Sequence, residues 1–482
     1  MKRRIAQVVA LAVTVTGATA GAQGNGTIPI TTTSEQARNL LLRGRALNET
    51  LVAHDARMLF DQAAAADPNF ALAEYYLAST APTGRDQSEH LAKAVALSGS
   101  VSPGERLMIL GMQARTHTNR VLARQLAESL VALYPRDARA HGVLGLVYAA
   151  QRDYPREIAE YEKAIAIDSA YSIAYNQLGY AYRSLGDLHR AERAFQKYVA
   201  LIPNDPNPYD SYGELLLKTG RFDESIAQYR KALAIDPHFG ASRIGIAANE
   251  MLTGRSADAI TELRIYYANA RDDGERRTAL LNQAMIHVEH GATDDALKVM
   301  DLSRAIAEKN GDSVSMASDD ATAADILLEA GRWDAARGRY KRAHDLVAAS
   351  GVAPGVKEDD LLASHHDAAR LAIAANDLAA ARREAAAYFS GSTARKDDVR
   401  IRQAHLLNGL VALAEKQFDR CLSELAQADQ EDPSVWYAMA RAEAGKGNMA
   451  RANELTLRAA NMNILPTLPY VLTRAAIAGA TR

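Results

Sequence analysis

The sequence predicts an all-α protein, a solenoid in which small helical hairpins stack one on the next. The first observation is a series of four glycines at equal intervals, Gly111, Gly145, Gly179 and Gly213. A second glycine series keeps the same interval of 34 residues: Gly186, Gly220 and Gly254. A proline series keeps it too, at Pro135, Pro203 and Pro237, with Ser169 at the place of one proline. A fixed period of this length is typical of stacked repeats rather than of one globular core.

Each unit is predicted to be two antiparallel helices joined by a tight turn, and residues 172–205 show why. Large apolar residues recur at steps of three and four on both sides of Gly186, which indicates two amphipathic helices. Gly186 can adopt the left-handed backbone conformation that ends the first helix. Pro203 disfavours helical geometry in the residue before it, so the second helix is expected to end there.

Small residues predict how the two helices of a unit pack. Gly179 and Ala191 have little or no side chain, so the helices that carry them can approach closely, while Tyr182 and Phe195 fill the space beside them. We therefore predict that the glycines of the first series mark the places where paired helices nearly touch. A single pair cannot bury its apolar faces alone, so it needs a neighbour on each side.

Residues 172–205 resemble the tetratricopeptide repeat family. The family motif has an aromatic residue, Leu-Gly and Tyr on the first helix, then Ala, an aromatic residue, Ala and Pro on and after the second. The matching residues here are Tyr175, Leu178, Gly179, Tyr182, Ala191, Phe195, Tyr198 and Pro203. The adjoining units depart from the motif at Glu157, Ser169 and Ser225. The resemblance implies a right-handed superhelix with a concave groove, protein partners and no cofactor.

The pattern divides the chain into four predicted segments. A secretory signal peptide covers residues 1–22, a flexible lead-in residues 23–36, and a regular array residues 37–273. A degenerate array over residues 274–482 ends in a closing C-terminal helix, because a terminal unit must shield its last apolar face. We count about twelve units in all.

Two breaks are expected in the degenerate array, where the repeat phase is lost. They fall at Ser350–Glu358, which contains glycine and proline, and at Gly391–Asp398. Clusters of such residues between periodic segments are typical of loops.

The first 22 residues predict export to a periplasmic or extracellular location. A basic start at Lys2, Arg3 and Arg4 precedes a short apolar run and small residues up to Ala22, the pattern of a cleaved signal peptide. An uncleaved anchor is the alternative. No later stretch is apolar and long enough to suggest a membrane span.

The charge and the cysteine content restrict the function further. Removal of the signal peptide takes away three basic residues, so the net charge of −2 becomes −5. This charge argues against nucleic acid as a partner, since phosphates require a basic surface. The one cysteine, Cys421, cannot form an intramolecular disulfide. We interpret it as a packed small residue, with a reactive or intermolecular thiol as the alternative.

No constellation of residues predicts catalysis or a metal site. His287 and His290 share a helix face, but Gly291 is expected to end that helix, where a histidine suits the helix dipole. His365, His366 and Asp367 are interpreted as a solvated helix start after a linker. The acidic pairs are interpreted as solvated loop charge: Asp319-Asp320, Asp359-Asp360 and Asp397-Asp398. We therefore expect a protein that is not an enzyme and holds no metal or cofactor, with an active site in residues 272–400 as the alternative.

A polar stripe on one first helix is the candidate partner-binding site. Asn176, Tyr180 and Arg183 are spaced by four and three residues, so they share a helix face. Arg139 lies one repeat earlier, and Asp210 and Glu214 lie one repeat later, on the corresponding face. Aromatic residues and arginine are enriched in protein interfaces, which favours recognition of a protein or extended peptide in the groove.

Two alternatives to that site stay open. The stripe is equally explained as an ordinary polar groove face. A solute- or glycan-binding protein would use the same groove, with Tyr171 and Tyr180 stacking on sugar rings. The sequence does not identify the partner.

Overall fold

Helical hairpins follow one another along the whole described chain. The computed structural model describes residues 26–49, 53–81, 84–116, 119–352 and 354–480, so the predicted signal peptide lies outside the described residues. Those residues form helices α1 to α25 and a short 3₁₀ helix, Ser98–Ser100, and they contain no strand. The predicted all-α fold class is confirmed. The helices are α1 Glu35–Glu49, α2 Ala53–Ala66, α3 Ala71–Ser79, α4 Gly84–Leu97, α5 Pro103–Thr116, α6 Arg120–Leu133, α7 Ala138–Ala150, α8 Tyr154–Ile167, α9 Ser172–Ser184, α10 Leu188–Leu201, α11 Pro206–Lys218, α12 Phe222–Ile235, α13 Gly240–Leu252, α14 Ser256–Ala268, α15 Asp273–Glu289, α16 Thr293–Lys309, α17 Ser313–Glu329, α18 Trp333–Ala349, α19 Pro354–Ala374, α20 Leu378–Ala394, α21 Asp398–Ala414, α22 Phe418–Leu425, α23 Pro433–Gly445, α24 Met449–Ala460 and α25 Leu468–Ala480.

The chain divides into two compact units, Met1–Leu185 and Gly186–Arg482, which we call the N-terminal and the C-terminal unit. In chain order, α1 to α8 form four hairpins in the N-terminal unit and α11 to α24 form seven in the C-terminal unit, with the odd-numbered helix first in each. Helix α9 ends the N-terminal unit at the place of a first helix, and α10 begins the C-terminal unit. The helices lengthen from 13 residues in α13 to 17 residues in α15. The predicted segment boundary at residue 273 stays a prediction.

Aspartate side chains begin many of these helices. Asp137 accepts a hydrogen bond from the backbone N–H of Arg139 at the start of α7, and Asp153 accepts one from Arg156 at the start of α8. The same arrangement recurs at Asp187, Asp205, Asp272, Asp312, Asp377, Asp397 and Asp432. Such a cap satisfies a backbone donor that the first turn leaves without a partner, and it favours a sharp helix start.

A residue in the left-handed conformation closes the first helix of most hairpins. Gly186 has a φ of 77°, and Gly254 a φ of 80°, as the sequence predicted. Three equivalent turns use other residues, namely Arg152, Asn376 and Lys416. The turn geometry therefore continues where the glycine series stops.

The predicted close approach of paired helices is confirmed at two of the glycines. A Cβ atom at Gly145 would lie 2.8 Å from Cζ of Tyr161, and one at Gly213 would lie 3.0 Å from Cε1 of Tyr229. At Gly111 the prediction is wrong, because the nearest side-chain atom would be 4.0 Å away, an ordinary contact. The paired helices are therefore too close at Gly145 and Gly213 for a side chain to fit without displacing the neighbouring ring, whereas the position of Gly111 has room for one.

The two breaks expected in the C-terminal unit are shorter than predicted. Helix α19 begins at Pro354, so most of Ser350–Glu358 is helical, and α20 continues to Ala394. Gly391 lies inside α20, where a Cβ atom would be 2.6 Å from Leu362 Cδ1. This glycine serves helix packing instead of ending a helix.

Residues 26–34 lie extended against the hairpins of the N-terminal unit. The backbone N–H of Ile28 donates to Asp137 at 2.8 Å, and that of Thr31 donates to Glu105 at 2.8 Å. The Thr32 hydroxyl donates to Asp67 at 2.6 Å. These contacts reach the start of successive first helices, and the interpretation of this region as a flexible lead-in did not anticipate them.

The segment after α24 returns to the middle of the C-terminal unit. Residues 462–467 are extended, and α25 then packs against α15, α17, α23 and α24. Tyr470 and Val471 on α25 are fully buried in a cluster with Met285 and Ile326. None of the helices in the described ranges combines the length and the apolar character needed to cross a membrane.

Candidate functional site

Three of the predicted site residues lie on one stripe of α9 in the N-terminal unit. The guanidinium carbon of Arg183 lies 4.8 Å from the centroid of the Tyr180 ring, and both side chains are half-buried. Asn176, one turn earlier, is 4% exposed, and its Oδ1 finds no hydrogen-bond donor within the described part of the chain. A buried acceptor without a donor costs about 1–3 kcal/mol, so a ligand that supplies a donor would recover that free energy.

Arg139 is already engaged within the N-terminal unit. Its Nε donates to Oε1 of Glu49 at 2.6 Å and its Nη2 to Oε2 at 3.0 Å, a bidentate pair. Burial alone would lower the pKa of Arg139, but the Glu49 carboxylate outweighs this effect and raises it. The contact joins the end of α1 to the first turn of α7, across 90 residues of sequence. Arg139 thus holds two repeats together.

The aromatic ring of Tyr171 is buried and is not accessible to a stacking ligand. Its side chain is 9% exposed, and the Arg139 guanidinium lies 5.9 Å from the ring centroid. A Cβ atom at Gly142 would lie 2.8 Å from its hydroxyl oxygen, so the ring packs directly on α7. Burial also raises the pKa of Tyr171. This packing removes the stacking surface that a glycan-binding role for Tyr171 would need.

Asp210 and Glu214 lie on α11 in the C-terminal unit, and both are half-buried. The Ser242 hydroxyl on α13 donates to Oδ1 of Asp210 at 2.7 Å. Burial raises the pKa of Asp210 to about 7; the Ser242 hydrogen bond opposes the shift, and the nearby Glu214 charge adds to it. Asp210 therefore links two successive first helices.

The interpretation of Asp319 and Asp320 as solvated loop charge is wrong. Both lie inside α17, and Asp320 is fully buried. Its carboxylate accepts from Arg304 at 3.1 Å, Arg339 at 2.8 Å and Arg342 at 2.7 Å. Hydrogen-bonded guanidinium groups from α16 and α18 compensate the loss of water, which is the condition under which a buried carboxylate stays charged.

The interpretation of residues 365–367 as a helix start is also wrong, because they lie in the middle of α19. Nδ1 of His344 on α18 lies 3.0 Å from Asp360, and its Nε2 lies 3.3 Å from Asp367. The hydrogen bond with Asp367 is the main cause that raises the pKa of His344 to about 9. Burial opposes ionisation of Asp367, but hydrogen bonds from His344 and His366 lower its pKa to about 2. These groups form a structural ion-pair cluster.

The remaining chemical candidates are placed as follows. His287 lies in the last turn of α15, and His290 is the first residue after this helix. Burial lowers the pKa of His287. Cys421 on α22 is fully buried, and burial raises its pKa to about 11. Throughout the residues that the structure describes, no group of three or more histidine, cysteine, aspartate or glutamate residues could hold a metal ion.

A family model for the tetratricopeptide repeat matches residues 113–172 and 176–238. The match covers the part of the chain where glycine, tyrosine and proline keep the strictest period. These residues are tetratricopeptide repeats. The resemblance stated from residues 172–205 is thereby confirmed.

Similar proteins share this repeat over part of their length. Anaphase-promoting complex subunit 3 of Schizosaccharomyces pombe is 22% identical over 182 residues, which is 38% of this chain and 27% of the relative. Cellulose synthase operon protein C of Xanthomonas axonopodis pv. citri is 26% identical over 380 residues, 74% of this chain and 24% of the relative. The chain therefore spans about a quarter of each relative's length.

Solved structures are also similar in part. The crystal structure of PilW, described as a type IV pilus biogenesis factor, is 19% identical and has a TM-score of 0.36. The similar region covers 42% of this chain and 92% of PilW.

Proposed function

We propose that this protein is an exported interaction scaffold that binds a protein or an extended peptide through Asn176, Tyr180 and Arg183. The observation that carries the proposal is the Oδ1 atom of Asn176, which is buried without a donor beside the paired Tyr180 and Arg183. A backbone N–H of an extended peptide is a donor of the right kind for this oxygen.

The pairing of Tyr180 with Arg183 supports recognition on the same stripe. A guanidinium stacked over an aromatic ring is held in one orientation, so little side-chain freedom remains to be lost when a partner binds. Tyrosine and arginine are also the residue types that contribute most to binding energy at protein interfaces. These properties favour a peptide or protein surface over a small apolar ligand.

The tetratricopeptide repeats support the scaffold role in general terms. Tetratricopeptide repeat proteins are typically interaction scaffolds without catalytic activity, and one relative is named as a subunit of a multiprotein complex. The export part of the proposal rests on the sequence of residues 1–22 alone. The partner would accordingly lie in the cell envelope or outside the cell.

Crosslinked capture of partners by the mature chain in its native compartment tests the proposal. Arg183→Ala should reduce capture, because it removes the guanidinium from the face of Tyr180, and the triple alanine variant at Asn176, Tyr180 and Arg183 should reduce it further. Arg156→Ala is the matched control, since Arg156 lies 5.1 Å from the Tyr148 ring centroid but belongs to a second helix, α8. The Arg156→Ala variant should capture the same partners as the unchanged chain, in the same amount.

Two results would count against the proposal. Equal capture by the triple variant and the unchanged chain, with equal helicity, would remove the Asn176 stripe from consideration. Retention in the cytoplasm of a chain that carries residues 1–22 would contradict the export part while leaving the binding site standing.

A further inference from the structure

The C-terminal segment, residues 461–480, covers helices of its own C-terminal unit that lie far from it in the sequence. Helix α25 contacts α15 and α17, whose sequences end more than a hundred residues earlier, as well as α23 and α24 next to it. Three of these four are first helices. First helices of successive hairpins also contact one another directly, as α11 and α13 do and as α21 and α23 do, so they line the inner side of the unit.

The surface under the C-terminal segment has an apolar centre. Tyr470 and Val471 are fully buried, and they belong to one cluster with Met285, Val288 and Ile326 of the first helices. Pro469 near the start of α25 and Ala476, Ala478, Gly479 and Ala480 at its end are exposed. The helix therefore lies on the surface and is not enclosed by it.

Arg474 fixes the register of the segment on the surface, and a hydrogen bond of Tyr470 within the segment holds its start against α25. Nη2 of Arg474 lies 3.1 Å from Oε1 of Glu289, and both side chains are largely shielded from solvent. Nη1 of Arg474 donates to the carbonyl oxygen of Ala460 at 2.8 Å, and the Tyr470 hydroxyl donates to the carbonyl of Met462. The segment thus combines a buried aromatic residue with an arginine one helical turn later, the features of a helical ligand in a groove.

The array beneath the segment is continuous without it. From α11 to α24, every helix packs directly against the next one along the chain. None of these neighbouring contacts involves α25, so we expect removal of the helix to expose a surface and to leave the stack of hairpins in place.

We propose that residues 461–480 are a resident ligand of this groove, and that the groove binds a partner helix of the same chemistry when the segment leaves. That partner is an amphipathic helix with an aromatic residue followed four positions later by an arginine, which would meet Glu289. A tethered segment has an effective concentration in the millimolar range, so it excludes weak competitors and yields to a strong one. This surface is separate from the Asn176 stripe, and the proposal does not depend on that site.

The test uses the full chain and a fluorescent synthetic peptide of residues 461–480. In the unchanged chain the tethered segment should exclude the peptide. Arg474→Glu places a carboxylate against Glu289 and should loosen the segment, so the peptide should bind this variant at least about tenfold more tightly. Glu289→Arg combined with Arg474→Glu restores an opposite-charge pair, so this chain should exclude even a peptide that carries the same Arg474→Glu change.

Two further variants control for general effects. Arg382→Glu reverses a comparable arginine–glutamate contact, 2.6 Å long, between α20 and Glu415, away from the segment, and it should behave as the unchanged chain does. Tyr470→Ala removes the apolar anchor and should also open the groove. Hydrogen exchange in both opening variants should rise in α25 and stay slow in α15 and α17.

The proposal is overturned by any of three results. The first is an Arg474→Glu chain that stays folded but binds the peptide no better than the unchanged chain. The second is loss of protection in α15 and α17 together with α25, which would make the segment part of the core. The third is an unchanged chain that is a dimer and an Arg474→Glu chain that is a monomer, which would place the segment in a second copy.

Discussion

Replacement of Gly145 by alanine measures how closely the paired helices approach. A Cβ atom there would lie 2.8 Å from Cζ and 2.9 Å from Cε2 of Tyr161, whereas carbon atoms in contact prefer about 3.5–4.0 Å. Tyr161 is 2% exposed, so its ring is surrounded by neighbours and has little room to move. Overpacking of this kind costs about 1–3 kcal/mol. The higher helix propensity of alanine returns about 1 kcal/mol, so we expect a net loss of up to about 2 kcal/mol.

Gly111→Ala is the matched control for this prediction. Gly111 holds the same position in its repeat, but the nearest atom to a new Cβ would be 4.0 Å away on Leu126. No clash opposes the gain in helix propensity, so this variant should be more stable by about 0.5–1 kcal/mol. The two substitutions are chemically identical and should change stability in opposite directions. The same close packing at Gly179 stays a prediction.

Native-state hydrogen exchange is the suitable assay, because repeat arrays do not always unfold in one cooperative step. Protection of amides in α7 and α8 should fall in Gly145→Ala, and protection in α5 and α6 should rise in Gly111→Ala. Urea midpoints of the two variants should move in the same directions. If Gly145→Ala gained protection as Gly111→Ala does, the Tyr161 ring would be free to move aside, and close approach would not explain the glycine.

Two further predictions concern ionisable groups. Glu105→Gln should lower the free energy of unfolding by about 1–3 kcal/mol, because the buried carboxylate accepts hydrogen bonds from the N–H and the hydroxyl of Thr31. The melting temperature should fall accordingly. An unchanged melting temperature would show that the contacts of residues 26–34 contribute nothing to stability. His344, whose pKa is raised from 6.5 to about 9 beside Asp360 and Asp367, stabilises the folded chain fully below pH 6.5 and loses that contribution as the pH rises through about 9. Urea midpoints should fall across this window and fall less in His344→Asn, and equal pH dependence in the two chains would refute this assignment.

The sequence predicted the hairpins well because turns and helix ends depend on local residues. A glycine that ends a first helix acts through its own backbone, so its position reveals the turn directly. The weakening of the glycine series after Gly254 suggested irregularity, yet Asn376 and Lys416 adopt the same left-handed turn. A left-handed residue other than glycine costs about 1–2 kcal/mol, which the packing of the hairpins can offset. The repeat geometry is therefore more regular than the repeat sequence.

Contacts between distant residues could not be predicted in the same way. Arg139 meets Glu49 across 90 residues, and Arg474 meets Glu289 across 185 residues. The period of the sequence repeat places a residue on one face of its helix. It gives no information about which distant segment covers that face. For the same reason the buried Asp320 was mistaken for loop charge, since its arginine partners belong to other helices.

The six predicted site residues lie on the corresponding face of successive first helices, and their contacts distinguish them. Arg139 and Asp210 form bonds to other first helices, to Glu49 on α1 and to Ser242 on α13 respectively. Asn176 is buried like a structural residue, but its Oδ1 lacks a donor in the described residues. A position that faces the groove can therefore serve either the array or a ligand, and an unsatisfied buried atom is the physical mark that separates the two. By that criterion, among the described residues on first helices of the N-terminal unit, Asn176 on α9 is the candidate that we propose for contact with a peptide.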